Sequence, residues 1–135
     1  MSILLRCHAG IGPGVTGTAL VAKDNFSARY DLDRKAGAFS RPSHALAGQS
    51  YAGKILVLDQ AKGGVATAWM LHEMKSRAIV PLALVLNSVN PILAQGAALG
   101  DLSMLAGFDE DITAAIPNGA EVEVNPQAGL LTVMG

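Results

Sequence analysis

Hydrophobic residues in this chain come in short blocks bounded by glycine, proline and charge, a pattern of many short strands rather than of long amphipathic helices. Residues 2–8 read as a strand, a glycine-rich turn with Gly10, Gly12, Gly14 and Gly17 follows, and TALVA at 18–22 reads as a second strand. Residues 23–50 are polar and punctuated by Asp24, Asn25, Asp31, Asp33, Gly37, Pro42 and Gly48, which predicts a long loop region with little core of its own; FSARYDL within it has room for one more strand.

The strongest blocks come next. KILVLD at 54–59 is a continuous apolar run of the kind found in a central strand, and IVPLALVLN at 79–87 is a second. Between them, Val65, Ala68, Trp69, Leu71, Met74 and Ala78 fall near one helical face, so the stretch predicts a β-α-β unit with parallel strands and a right-handed crossover. Residues 88–105, SVNPILAQGAALGDLSML, read as a loop with a short helix. The acidic run Asp109, Glu110, Asp111 before ITAAI reads as a capped helical turn, and EVEVNPQAGLLTVMG as two strands around a turn at Asn125, Pro126 and Gly129. The sum is a mixed α/β domain, rich in strands, over residues 1–135.

Composition narrows the class. A chain of 135 residues, half of them hydrophobic, is long enough for one compact domain with a real core. Ten basic and eleven acidic residues give a formal charge of -1 without long runs, so neither nucleic acid nor an anionic membrane is an expected partner. No apolar stretch approaches the roughly 20 residues of a membrane span, and the short apolar start has no basic region before it, which predicts a cytoplasmic protein. The single cysteine, Cys7, excludes an internal disulfide and the three or four thiolates of an iron–sulfur cluster, so any such cluster has to come from another chain. With a mean hydropathy of +0.35, an exposed apolar patch is expected, to be covered by a larger subunit, a second copy of this chain, or both.

Candidate chemistry concentrates at the exit of the strand at 54–59. A turn carrying Lys62, Gly63 and Gly64 leads into the predicted helix, bringing backbone N–H groups, the positive end of a helix dipole and an ammonium to one point, a suitable place for a carboxylate or phosphate. The competing reading is a tight strand-to-helix turn with a solvated lysine, and spacing alone leaves the two even. Asn87 and Asn90, beside Pro91, either fix a turn or reach a ligand; at the carboxyl end of a parallel strand beside the Lys62 turn, they rank second. Thr67, on the first helical turn, is a candidate catalytic hydroxyl, although a helix-start hydrogen bond is the commoner use of a threonine there.

Other motifs fail in context. Gly12 to Gly17 satisfies GxGxxG, but the following TALVAKDNFSARYD cannot form the helix that a dinucleotide site requires. Lys62 lacks the serine or threonine and the glycine spacing of a phosphate-binding loop. His8, His44 and His72 have no ligand-pair spacing, so no metal site is expected and each histidine reads as a surface or satisfied polar residue. No serine sits in a GxSxG elbow.

HALAGQSYAGKILVLDQAKGGVATAWMLHEM, VPLALVLNSVNPILAQGAALGD and IPNGAEVEVNPQAGLLTVMG together resemble the small subunit, or swivel domain, of aconitase X, a family that includes phosphomevalonate dehydratase and cis-3-hydroxy-L-proline dehydratase. The resemblance implies a swivelling β/β/α domain like the mobile domain of aconitase. It also implies a large-subunit partner that carries the iron–sulfur cluster, no cofactor in this chain, and a hydro-lyase reaction on a small anionic substrate. In many members the turn reads GRGS, its arginine binding the substrate anion and its serine moving a proton. Aligned through GKILV, those positions are Ala61, Lys62, Gly63 and Gly64, so the cation is kept and the serine is missing. A glycine cannot act as a general base. The resemblance therefore leaves open a binding or regulatory swivel protein, or a complex of altered chemistry such as an isomerase, beside the dehydratase subunit.

Overall fold

The computed structural model describes residues 3–24, 32–33, 37–40, 44–60, 81–88, 103–108 and 110–134. Its strands are β1 (Ile3–Ile11), β2 (Val15–Val21), the two-residue β3 (Leu32–Asp33) and β4 (Ala38–Phe39), β5 (Ile55–Gln60), β6 (Ala83–Ser88), β7 (Ser103–Phe108), β8 (Glu121–Asn125) and β9 (Leu130–Met134), with a one-turn helix at Ile112–Ala115. Seven of them close into a barrel in the order β1-β7-β6-β5-β2-β8-β9. Strands β2, β5, β6 and β7 run parallel, and the remaining pairs are antiparallel.

The barrel follows from the side-chain pattern. In β8, Glu121, Glu123 and Asn125 face out while Val122 and Val124 are buried, the alternation of a strand wet on one face. In β5 and β6 there is no alternation. Ile55, Val57, Ala83 and Val85 join the interior cluster with Leu5, Leu105, Val122 and Leu131, and the outward-facing Leu56, Leu58, Leu84 and Leu86 are equally inaccessible. Parallel strands buried on both faces need apolar side chains at successive positions, which is why these two segments read as unbroken runs. Each such side chain removed from water stabilises the fold by about 1.5–3 kcal/mol.

The predicted parallel pairing of the two apolar strands holds, with Ile55 opposite Ala83 and Leu58 opposite Leu86; the crossover helix at 65–77 lies outside the described residues. The hairpin at the chain's end and the capped turn at Asp111 are also as expected, the Asp111 carboxylate accepting from the Thr113 N–H. Three readings change. The end of the stretch read as loop and short helix is strand β7, which pairs with β6 on one side and β1 on the other. Gly10 and Gly17 lie within strands β1 and β2, so the turn between them is confined to Gly12–Gly14. The polar region 23–50 contributes buried Phe39, His44 and Leu46, which with Tyr51 make a small core; the Phe39 ring stacks on His44 at 4.5 Å and meets Tyr51 edge-on at 6.0 Å. Of FSARYDL only Leu32 is described; with Asp33 it forms β3, paired with β4.

Gly10 marks where β1 passes beneath the β8–β9 turn. A Cβ at this position would collide with the backbone carbonyl of Pro126, which cannot move without disturbing the hairpin. Gly10→Ala is expected to cost about 1–3 kcal/mol. Urea denaturation read by far-ultraviolet circular dichroism checks this, with the midpoint shifting down.

Candidate functional site

Four parallel strands deliver their carboxyl ends to one rim of the barrel, where the chain passes from β5 into 61–64 and from β6 into 89–90. Ligands of α/β sheets collect at such carboxyl ends. The described groups there are Lys23 and Asp24 after β2, Asp59 at the end of β5, Asn87 at the end of β6, and Asp111 after β7. Lys62, Gly63, Gly64, Thr67 and Asn90 lie outside the described residues.

Asn87 joins three elements. Its Nδ2 donates to Asp59 Oδ1 and to Asp111 Oδ1, both at 2.9 Å, and its Oδ1 accepts the Ile112 N–H at 3.0 Å. These bonds tie the ends of β5 and β6 to the start of the short helix. Asp111 is the helix N-cap. Its Oδ1 also accepts from the Thr113 N–H at 3.1 Å and the Thr113 hydroxyl at 2.7 Å, and Lys23 Nζ lies 3.8 Å from its Oδ2. Ile112 and Ile116 are buried in the barrel cluster, so this short helix closes the mouth of the barrel beneath the polar rim.

The Thr113 hydroxyl, then the Asn87 amide, with the Thr113 N–H and Lys23 adding to them, hold the Asp111 carboxyl below its ordinary pKa despite some opposing desolvation. A carboxylate whose pKa is depressed on folding stabilises the protein above its unfolded-state pKa. That contribution fades as the pH falls through the folded-state value. Acid titration of stability is therefore expected to lose a component in the range below the ordinary aspartate pKa, and Asp111→Asn is expected to flatten that part of the curve; urea midpoints measured from pH 5 down to pH 2.5 check it.

Asp24 forms the other half of the rim. Its carbonyl accepts the Asp59 N–H at 2.8 Å and its Oδ2 accepts the Ala45 N–H at 3.0 Å. His44, buried behind it, accepts the Leu46 N–H on Nδ1 at 3.0 Å, so that nitrogen carries no proton in this arrangement, and Nε2 lies 3.8 Å from Asp24 Oδ2. This is the satisfied polar histidine that its sequence context suggests. His72 and the His8 side chain lie outside the described residues.

The donor set of this chain does not fit an iron–sulfur cluster. Cys7 is half-buried on β1, with its N–H on the Gly129 carbonyl, and it is the one thiol in the sequence. Among the described residues no group of three or more histidine, cysteine or acidic side chains is placed to hold a metal ion. No helix among them is long and apolar enough to cross a membrane.

The sequence singled out Asn87 and the Asp111 cap but missed Asp59 and Asp24. A carboxylate that ends a continuous apolar run, as Asp59 does in ILVLD, was the available signal.

The model of the aconitase X swivel domain matches residues 4–133, almost the whole chain. This chain belongs to the aconitase X swivel-domain family. Among its relatives, the phosphomevalonate dehydratase small subunit of Methanococcoides burtonii is 29% identical over 135 residues, covering 99% of this chain and 98% of the relative. The protein of the same name from Methanopyrus kandleri is 30% identical over 124 residues, covering 90% and 92%. The crystal structure of Thermococcus kodakaraensis aconitase X in its holo-form superposes with a TM-score of 0.90 at 25% identity, covering 98% of this chain and 99% of that one. The swivel fold expected from the family motifs is thus the fold found, and the mouth ringed by Asp24, Asp59, Asn87 and Asp111 is the carboxyl rim of an aconitase X swivel domain.

Proposed function

We propose that this chain is the small subunit of an aconitase X-type hydro-lyase, closing over a hydroxylated substrate and binding its carboxylate or phosphate together with a large, cluster-bearing subunit. The observation that carries this reading is the end-to-end match, in both directions, to proteins named as dehydratase small subunits. In this reading Lys62 and the N–H groups of Gly63 and Gly64 hold the anion, with Asn87 and Asn90 as second-rank candidates. In the dehydration a base removes the proton from the carbon next to the hydroxyl-bearing one, that C–H pair becomes the new C=C bond, and the hydroxyl takes a proton from a general acid and leaves as water. Gly64 offers no base, so the proton goes to a group of the large subunit or by way of the Thr67 hydroxyl. The chain's own part is to bind, orient and exclude water.

Gly64 also favours a second reading, a swivel protein that binds without catalysing or serves a complex of different chemistry. Co-expression with a cysteine-rich large subunit, purification through a tag on this chain, and assays of iron content and of dehydration of phosphomevalonate and cis-3-hydroxy-L-proline separate the two. The first reading expects a co-purifying, iron-bearing pair that releases water from one of these substrates, with this chain inactive alone. An inactive pair keeps the partnership and moves the reaction elsewhere. Absence of any partner, with self-association on a sizing column, supports the binding protein.

A further inference from the structure

Strands β1, β9, β8 and β2 form an antiparallel stretch of the barrel wall. The outward side chains of β5 and β6 are buried, but this stretch leaves its outer face open: Leu4 is 61% exposed and Met134 36%. Cross-strand partners point to the same face, so the register fixes where each side chain stands. Leu4 lies opposite Thr132, Arg6 opposite Leu130, and Met134 opposite Glu121. Arg6 and Glu121, both exposed, therefore occupy diagonally opposite corners of the patch with Thr132 midway between them. Their backbones are on the order of 15 Å apart. Within the chain, Glu121 Oε1 accepts the Thr18 hydroxyl at 2.7 Å.

We propose that this face is the contact between two copies of the chain, related by a two-fold axis that runs diagonally across the patch at Thr132. Neighbouring strands are about 4.8 Å apart and same-face residues along a strand about 6.8 Å apart, so the patch approaches a square grid. Turning a second copy over about the diagonal exchanges rows for strands. Leu4 then comes onto Met134 of the second copy, and Arg6 onto its Glu121. The strands of the two copies cross at near right angles, one of the two common ways in which sheets pack. A two-fold contact uses the same patch on both sides, so each of these pairs forms twice. The charge pattern is what names the occupant: a cation at one corner, a carboxylate at the opposite one and exposed apolar side chains beside the diagonal make a surface complementary to itself. None of these residues belongs to the polar rim, so the contact is independent of the function proposed above; a dimeric chain that also captures a large subunit is compatible with it.

Sedimentation equilibrium of the full chain alone, at low ionic strength, tests this. The parent is expected to be a dimer. Arg6→Glu and Glu121→Arg each set like charges against one another in both ion pairs, and each is expected to raise the dimer Kd about tenfold or more. The double variant exchanges the signs and is expected to return the Kd to within about threefold of the parent. Leu4→Lys, which places a charge in the apolar contact, is expected to weaken the dimer by a similar factor. All of these side chains are exposed in the single chain, so the variants keep the fold, and far-ultraviolet circular dichroism checks that they do. A monomeric parent overturns the proposal and leaves the face to a large subunit or to water. A dimer whose Kd is unmoved by the single exchanges, or is not recovered in the double variant, overturns it as well and places the contact elsewhere.

Discussion

Replacing Lys62 by alanine in the assembled pair is expected to lower kcat/KM about a hundredfold, because truncating one partner of a charge-assisted contact in a closed site costs about 2–5 kcal/mol and each 1.4 kcal/mol is a factor of ten. The larger share should appear in KM, since an anion held alike in ground and transition states contributes uniform binding. Lys62→Arg should restore most of the loss, as the family turn itself carries an arginine at this position. Steady-state kinetics of the three proteins check the assignment; an unchanged KM in Lys62→Ala would sink it. Gly64→Ser adds a second axis. If the missing serine has silenced the chain, the new hydroxyl raises kcat; if the base belongs to the large subunit, kcat stays level while Lys62→Ala still fails.

How much of the molecule could be read beforehand depended on how local its determinants are. The runs in β5 and β6 announced buried parallel strands because both of their faces are covered, and the alternation in β8 announced a half-wet hairpin strand. Strand β7 was not legible. SMLAGF is short and carries Gly107 at φ 77, a conformation that belongs more to turns than to strands. What makes it a strand is β6 on one side and β1 on the other, and the β1 partner comes from the far end of the sequence. Barrel closure has the same character. The pairing of β1 with β9 joins residues near opposite termini, and no local pattern encodes it.

The site divides along similar lines. An aspartate before ITAAI is a local capping signal, so Asp111 was readable in role. That the same carboxylate also receives Asn87, 24 residues upstream, and that Asn87 grips Asp59, 28 residues away, depends on parallel strands ending at one rim. A parallel pairing fixes which ends meet but not which side chains touch. Asn87 was therefore placed at the carboxyl end of its strand, beside that of β5, while the carboxylates that engage it went unseen.

Ile112 links this rim to the core, and its truncation should show the two to be one unit. Its side chain is fully buried in the barrel cluster, while its N–H is the donor that holds the Asn87 oxygen. Ile112→Ala leaves a cavity in the barrel mouth, with an expected cost of about 2–5 kcal/mol, a large part of the total stability of about 5–15 kcal/mol expected for a domain of this kind. An alanine keeps the N–H but not the packing that aims it. The loss should therefore exceed that of an equally buried residue away from the rim, such as Leu131, once the cavity volumes are matched. In a double-mutant cycle, Ile112→Ala and Asn87→Ala should couple by about 0.5–3 kcal/mol, whereas Leu131→Ala and Asn87→Ala should add. Urea denaturation of the five single and double variants and the parent decides this. Additivity at both positions would mean that the barrel core merely carries the rim, and that the Asn87 amide is aimed by its own strand alone.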